Sequence, residues 1–292
     1  MPQFLVWFAR HNAYYNCRFM ELEALAELFA GIRSKQELYG DVFEQIDARR
    51  WEPWVYVNLP SKEVAEKITG RSVLIRLMVE VWGDGATHLD CLTAATKLDP
   101  SYRSKFINSQ DSFCFKVAAF GKKIAQDEKV QLMQEYKPLF NCDEKVDTKN
   151  PDHTFWILEE WAMEYSATTT EANGGFGTIS TSVEDKPSRC FFGVAVAAQG
   201  GQFNNRTPTF FEKYELSQRC VLGPTTLDNE LSFLMANMAG VSSGDLVLDP
   251  FMGTGGLAIA STACGGFSVG SDIDPRVVQG WKVCYIKNKK KV

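Results

Sequence analysis

Apolar residues recur along this chain in two rhythms, alternate positions and helical spacing, and the changes between them mark out its elements. FLVWFA (4–9) is a short apolar run that reads as a buried strand. RFMELEALAELFAG (18–31) brings apolar residues back at helical spacing, with Gly31 as its stop. WVYVNLP (54–60) predicts a second strand ended by proline, and Ser61 caps a short helix over 61–70 that Gly70 closes. SVLIRLMVEVWG (72–83) alternates as a third strand. The same mixed style continues with a helix behind Thr87, a strand at 112–121, a helix at 127–136, and strands at 154–163 and 190–198. Between the last two, 166–185 is rich in Ser, Thr and Gly and reads as a mobile surface loop. QGGQFNNRTP (199–208) is the clearest linker, and FFEKYELSQR (210–219) predicts a connecting helix.

After the linker the order becomes strictly α/β. DNELSFLMANMAG (228–240) is an amphipathic helix behind an Asp228 cap. DLVLDP (245–250) is a strand, GGLAIASTACGG (255–266) a helix of small residues, and FSVGSD (267–272) a second strand. Asp274-Pro275 then opens another helix, Asp as cap and Pro in first position. Strand, glycine turn, helix and strand make a βαβ unit and so a parallel sheet. The chain thus divides into an α+β region over 1–71, a second mixed region over 72–200, a linker and connecting helix over 201–220, and the start of an α/β domain over 221–292.

Composition narrows the class without naming a task. The 292 residues are 45% hydrophobic and 23% charged, as in soluble globular proteins. The net charge of −5 gives no global support for a polyanion partner, so such a reading must come from motifs. Eight cysteines are scattered, none at CxxC spacing, which argues against a paired-knuckle zinc site and for free thiols in a reducing compartment. With no signal-like N-terminus and no long apolar run, a cytoplasmic location is expected, and the sequon Asn205-Arg206-Thr207 carries no weight.

The chemistry gathers at the carboxyl ends of the two late strands, where ligands bind in parallel sheets. Gly253 and Gly255 flank Thr254 in D-P-F-M-G-T-G-G, and the next helix turns its free N–H groups toward the same spot. Asp272 ends the second strand at about the spacing, ~20 residues, at which an acid meets ribose hydroxyls. A dinucleotide fingerprint fails because Ala258 stands where its third glycine belongs, and no Lys completes a phosphate-binding loop. Asp249 would repel a diphosphate but suits the ammonium group of S-adenosylmethionine. A glycine turn serving only close packing is the competing reading.

Three segments together, LGPTTLDNELSFLMAN (222–237), LVLDPFMGTGGLAIA (246–260) and VGSDIDPRVVQG (269–280), resemble the catalytic subunit of the tRNA guanine-10 N2-methyltransferase family. NLPSKEVAEKI, EVWGDG and KKIAQDEKVQLM extend the likeness weakly to the front half. The resemblance implies a THUMP-like RNA-binding region over 72–200, followed by the first part of a Rossmann-like class I methyltransferase domain. It places Asp249, Phe251, Gly253, Thr254 and Gly255 in the S-adenosyl-L-methionine loop. Asp272 would hold the ribose, Ile273 would lie against the adenine, and Thr225 and Thr226 near the methionine end. Asp274 reads as a helix cap. The implied reaction is methylation of the exocyclic N2 of guanosine 10, with tRNA and a small zinc-containing activator subunit as partners.

The family's catalytic loop, Asp/Asn-Pro-Pro-Tyr, occurs nowhere in the chain, and the resemblance fades after Gly280. No catalytic residue is assigned, and the chain alone is expected to be inactive, with weakened cofactor binding. The alternative is a non-catalytic tRNA-binding or competing isoform, or an incomplete gene product. His11, His88 and His153 share no ligand spacing and read as surface or satisfied histidines. Phe191-Phe192, Phe210-Phe211 and the tryptophans at 7, 51, 54, 156 and 161 read as core, and the Lys287–Lys291 run as a solvated end.

Overall fold

The computed structural model describes residues 2–8, 14–40, 53–140, 145–162, 186–198, 209–219, 221–223, 225–279 and 285–286. The loop at 166–185, the linker and sequon at 199–208, the lysine tail, His11, Trp51, and Cys142, Cys220 and Cys284 lie outside them. Two compact units emerge. The first comprises Met1–Pro2, Val6–Leu77 and Ala197–Val292, the second Gln3–Leu5 and Met78–Val196.

In the first unit β2 (Trp54–Asn58) lies beside β1 (Gln3–Phe8). Helix α1 (Arg18–Ala30) ends on Gly31 in the left-handed region, as its sequence predicts. A short α2 (Lys35–Tyr39) follows. Helix α3 (Lys62–Arg71) starts on Ser61, whose hydroxyl accepts the Val64 N–H. It does not stop at Gly70. One more residue joins it because the Ser72 N–H bonds the Ile68 carbonyl and the Arg71 and Ser72 side chains are both held by tertiary partners.

Those partners form a buried polar knot. Glu21 on α1 accepts four hydrogen bonds, from the Ser72 hydroxyl (2.7 Å), the Val73 and Leu74 N–H groups (2.7 and 2.9 Å) and Asn237 Nδ2 (2.8 Å). Asn237, on α7 (Asn229–Met238), also donates to the Arg71 carbonyl and accepts from Arg71 Nε at 2.7 Å. Burial pushes the Glu21 carboxyl above the usual carboxylate range, against the pull of its donors.

The second unit is a sheet in the order β3 (Ile75–Gly85), β7 (Arg189–Ala198), β6 (His153–Glu160), β4 (Ser112–Phe120), β5 (Lys145–Val146). Strand β6 pairs in parallel with β4 and antiparallel with β7. Helix α4 (His88–Thr96) opens with a reciprocal capping box between Thr87 and Asp90, and α5 (Pro100–Arg103) and α6 (Gln126–Tyr136) follow it in the chain. An aromatic core of Trp82, Phe113, Phe155 and Phe192 is shared with Tyr136. Phe191, Phe192, Phe211 and the tryptophans at 7, 54, 156 and 161 are buried, which agrees with the core reading, while Phe210 is half-buried. Cys91, Cys114 and Cys190 are buried free thiols.

The connecting helix expected over 210–219 is absent. In its place are two single 3-10 turns, Glu212–Tyr214 and Leu216–Gln218. The Phe211 carbonyl, which a helix would give to residue 215, is taken by the Tyr214 N–H and by Asn229 Nδ2. Phe210, Phe211 and Tyr214 instead pack their rings on Phe233 of α7. The βαβ unit is present: β9 (Leu246–Asp249), α8 (Gly256–Ala263) and β10 (Phe267–Gly270), with Leu246 opposite Phe267 and Asp249 opposite Gly270 in parallel register. The short α9 (Pro275–Val278) starts on Asp274, which accepts the Arg276 N–H. Strands β8 (Val221–Leu222) and β11 (Tyr285–Ile286) pair antiparallel.

Candidate functional site

The loop between β9 and α8 is built by three ties. Asp249 Oδ1 accepts the Phe251 N–H at 3.0 Å, folding the chain back over Pro250. The Met252 N–H reaches the Ser271 carbonyl and the Ser271 N–H the Asp249 carbonyl, which join the loop to the end of β10. Asp272 then accepts the Gly253 N–H on Oδ2 (2.8 Å) and the Asp274 N–H on Oδ1 (2.9 Å). An ionised carboxylate offers about four acceptor positions, so Asp272 can brace the loop and still receive two hydroxyl donors.

Gly253 and Gly255 hold φ of +52° and +81°, a region in which an L side chain is strained. A Cβ added at either would meet no atom within 4 Å. The glycines therefore serve the backbone path, and the space before them is open to a ligand. Phe251 is 87% exposed and Ile273 fully exposed, so two apolar side chains flank that space in solvent.

Thr226 joins the loop from the segment before α7. Its Oγ1 accepts the Gly223 N–H (2.7 Å), donates to the Gly223 carbonyl (2.9 Å) and lies 2.9 Å from Thr254 Oγ1. With its one proton on Gly223, the Thr226 hydroxyl receives the proton of Thr254. The structure thus gathers Asp249, Gly253, Thr254, Gly255, Asp272 and Thr226 in one hydrogen-bonded cradle. Thr225, Phe251 and Ile273 lie at its margin, Thr225 and Ile273 as the chain neighbours of Thr226 and Asp272.

Sequence reasoning missed Arg219. Its Nη2 donates to the Thr254 carbonyl at the centre of the loop, and partial burial lowers its pKa. The available signal was an arginine shortly before the Leu-Gly-Pro-Thr-Thr segment. Also unforeseen is the outer face of the small sheet. Leu246, Leu248, Phe267 and Val269 sit on one face in register and are all exposed, while Val247 turns the other way to pack in the core.

Both described histidines are satisfied. His88 contacts Tyr136 Oη (3.0 Å) and Glu159 Oε1 (2.9 Å), and His153 contacts Asp111 at 3.3 Å. Among the described residues no helix is long and apolar enough to cross a membrane.

The Tmrp11 THUMP N-terminal domain model matches residues 2–175, and the RMKL-like methyltransferase domain model matches 217–284. The tRNA (guanine(10)-N(2))-methyltransferase TRMT11 of Rattus norvegicus is 30% identical over 94% of this chain and 52% of its own length. That of Dictyostelium discoideum is 30% identical over 98% of this chain and 54% of its own. The chain therefore spans about half the length of the curated relatives it matches. The crystal structure of TrmN from Thermus thermophilus aligns with 95% of this chain and 67% of that chain, at 16% identity and a TM-score of 0.46. S-adenosyl-L-methionine is the cofactor of this class of methyltransferase domain, and the cradle around Asp249 and Asp272 lies inside the matched segment. With the THUMP N-terminal model matched over more than half of the chain and the methyltransferase domain model matched after it, the protein belongs to the tRNA guanine-10 N2-methyltransferase family.

Proposed function

We propose that the cradle is the nucleoside and methionine half of an S-adenosyl-L-methionine site, in a protein whose family reaction is methylation of guanosine N2 in tRNA. The observation that carries this reading is the Asp272–Gly253 brace. One acid fixes the glycine loop in its left-handed path and keeps acceptor positions free for vicinal hydroxyls. Asp249 supplies negative charge toward an ammonium group, and exposed Ile273 and Phe251 offer apolar contact to a base. When bound, the cofactor supplies the methyl group; the residues described here bind and orient it.

The front region is proposed to hold tRNA through shape and phosphate contacts; the support is its match to the THUMP N-terminal model and relatives named as tRNA methyltransferases. A small zinc-containing activator subunit is the proposed protein partner, and the exposed apolar face of β9 and β10 supports a covering partner there. No Asp/Asn-Pro-Pro-Tyr tetrapeptide occurs in residues 1–292, and for that reason the chain by itself is proposed not to turn over.

Calorimetric titration with S-adenosyl-L-methionine tests the site. Asp272→Ala is expected to weaken binding by about tenfold or more, the scale of charge-assisted bonds lost to hydroxyls. An unchanged affinity removes the ribose assignment. A methyl-transfer assay on unmodified tRNA with the activator present is expected to give no turnover, and robust turnover would overturn the proposed inactivity.

A further inference from the structure

We propose that Arg219 is the residue that receives the α-carboxylate of the cofactor's amino-acid end, an inference that rests on the cofactor reading above. Without Arg219 the cradle lacks a charged donor among the described residues. A methionine head group is a zwitterion and needs an acceptor-rich side for its ammonium and a donor-rich side for its carboxylate. Asp249 and Asp272 supply only acceptors, and the donors that the first turn of α8 adds are uncharged backbone N–H groups. The Thr226 proton goes to the Gly223 carbonyl and the Thr254 proton to Thr226 Oγ1, so neither hydroxyl has a donor left for a ligand. The strong donor among the described residues at the Thr226–Thr254 end is the Arg219 guanidinium, which touches the Thr254 carbonyl directly.

The state of that guanidinium points the same way. It has five N–H donors in a planar fork, and the Thr254 carbonyl takes one of them. Among the described residues no carboxylate pairs with it, and its pKa is lowered by burial with no acid counteracting. A part-buried guanidinium with most of its donors unpaired by the described residues gains from an incoming anion. The planar, two-oxygen geometry of a carboxylate matches the fork. The contact with Thr254 meanwhile orients the guanidinium, so an incoming carboxylate meets a donor already in place.

Binding of two ligands that differ at one group separates this role from a merely structural one. S-adenosyl-L-methionine and its decarboxylated form share the nucleoside, sulfonium and amine but differ in the carboxylate. Titrated into the wild-type chain, the carboxylate-bearing ligand is expected to bind about tenfold to a hundredfold more tightly. Arg219→Gln is expected to erase that preference while leaving affinity for the decarboxylated ligand unchanged, and Arg219→Lys to restore part of it.

If Arg219→Gln weakens both ligands equally, Arg219 only props the loop through Thr254 and the proposal fails. It fails equally if the variant binds both ligands as the wild type does, including where only tRNA affinity drops. A wild-type chain that binds both ligands alike sinks the carboxylate assignment but leaves the cofactor reading standing. One that binds neither overturns the cofactor reading itself, and the assignment with it.

Discussion

Asn237→Ala should be among the most damaging substitutions in the chain that lies outside the proposed site. Asn237 is fully buried and satisfies three groups at once: the Glu21 carboxylate, the Arg71 carbonyl and Arg71 Nε. Truncation to Ala removes all three bonds and leaves a space that the side chains around it cannot fill with polar atoms. A buried polar group left without its partner costs about 1–3 kcal/mol. Arg71 is half-buried, so its Nε falls at the low end through access to water. Glu21 keeps three donors and loses about one bond's worth. The sum is about 3 kcal/mol, near the upper range for a point substitution and equal to roughly a hundredfold rise in the unfolded fraction.

Urea unfolding read by circular dichroism measures this directly as a fall in the transition midpoint at unchanged slope. A second variant isolates the cause. Asn237→Asp has nearly the same shape and keeps the bond from Arg71 Nε, but it replaces the donor to Glu21 and to the Arg71 carbonyl with a carboxylate, so it should be destabilised at neutral pH and recover as the pH is lowered. A loss below about 1 kcal/mol for Asn237→Ala, or an aspartate variant insensitive to pH, would refute the view that this knot stabilises the first unit.

Two further outcomes follow from the same structure. Because burial raises the folded-state pKa of Glu21 above its unfolded value, its contribution to stability is complete below the ordinary carboxylate pKa and is lost as pH rises through the raised value. The difference between wild-type and Glu21→Gln stability curves should therefore slope downward over that window, and a flat difference would contradict it. Gly255→Ala places a side chain at φ +81° with no steric neighbour, so the strain alone, about 1–2 kcal/mol, should appear as a melting point lowered by a few degrees. An unaltered melting point would mean that the loop relaxes without strain.

Signals contained within a few residues were legible in the chain. The caps at Ser61, Thr87, Asp228 and Asp274 each bond an N–H two or three positions on, so composition and spacing suffice to find them. The βαβ unit is equally local, and its strands, glycine turn and parallel pairing are all present. Tertiary structure decided what depends on residues distant in sequence. Helix α3 runs past Gly70 because Asn237 and Glu21 hold its last turn, and 210–219 abandons the helix its apolar spacing suggests because Phe233 draws three rings onto it. Glu21 and Asn237 stand 216 positions apart, and Arg219 and Thr254 stand 35 apart. No periodicity records such pairs, since a local pattern sets which face a residue occupies and only packing sets what it meets there. The open face of Leu246, Leu248, Phe267 and Val269 is the plainest case: the alternation predicts the strand, and the fold alone shows that the face is left exposed.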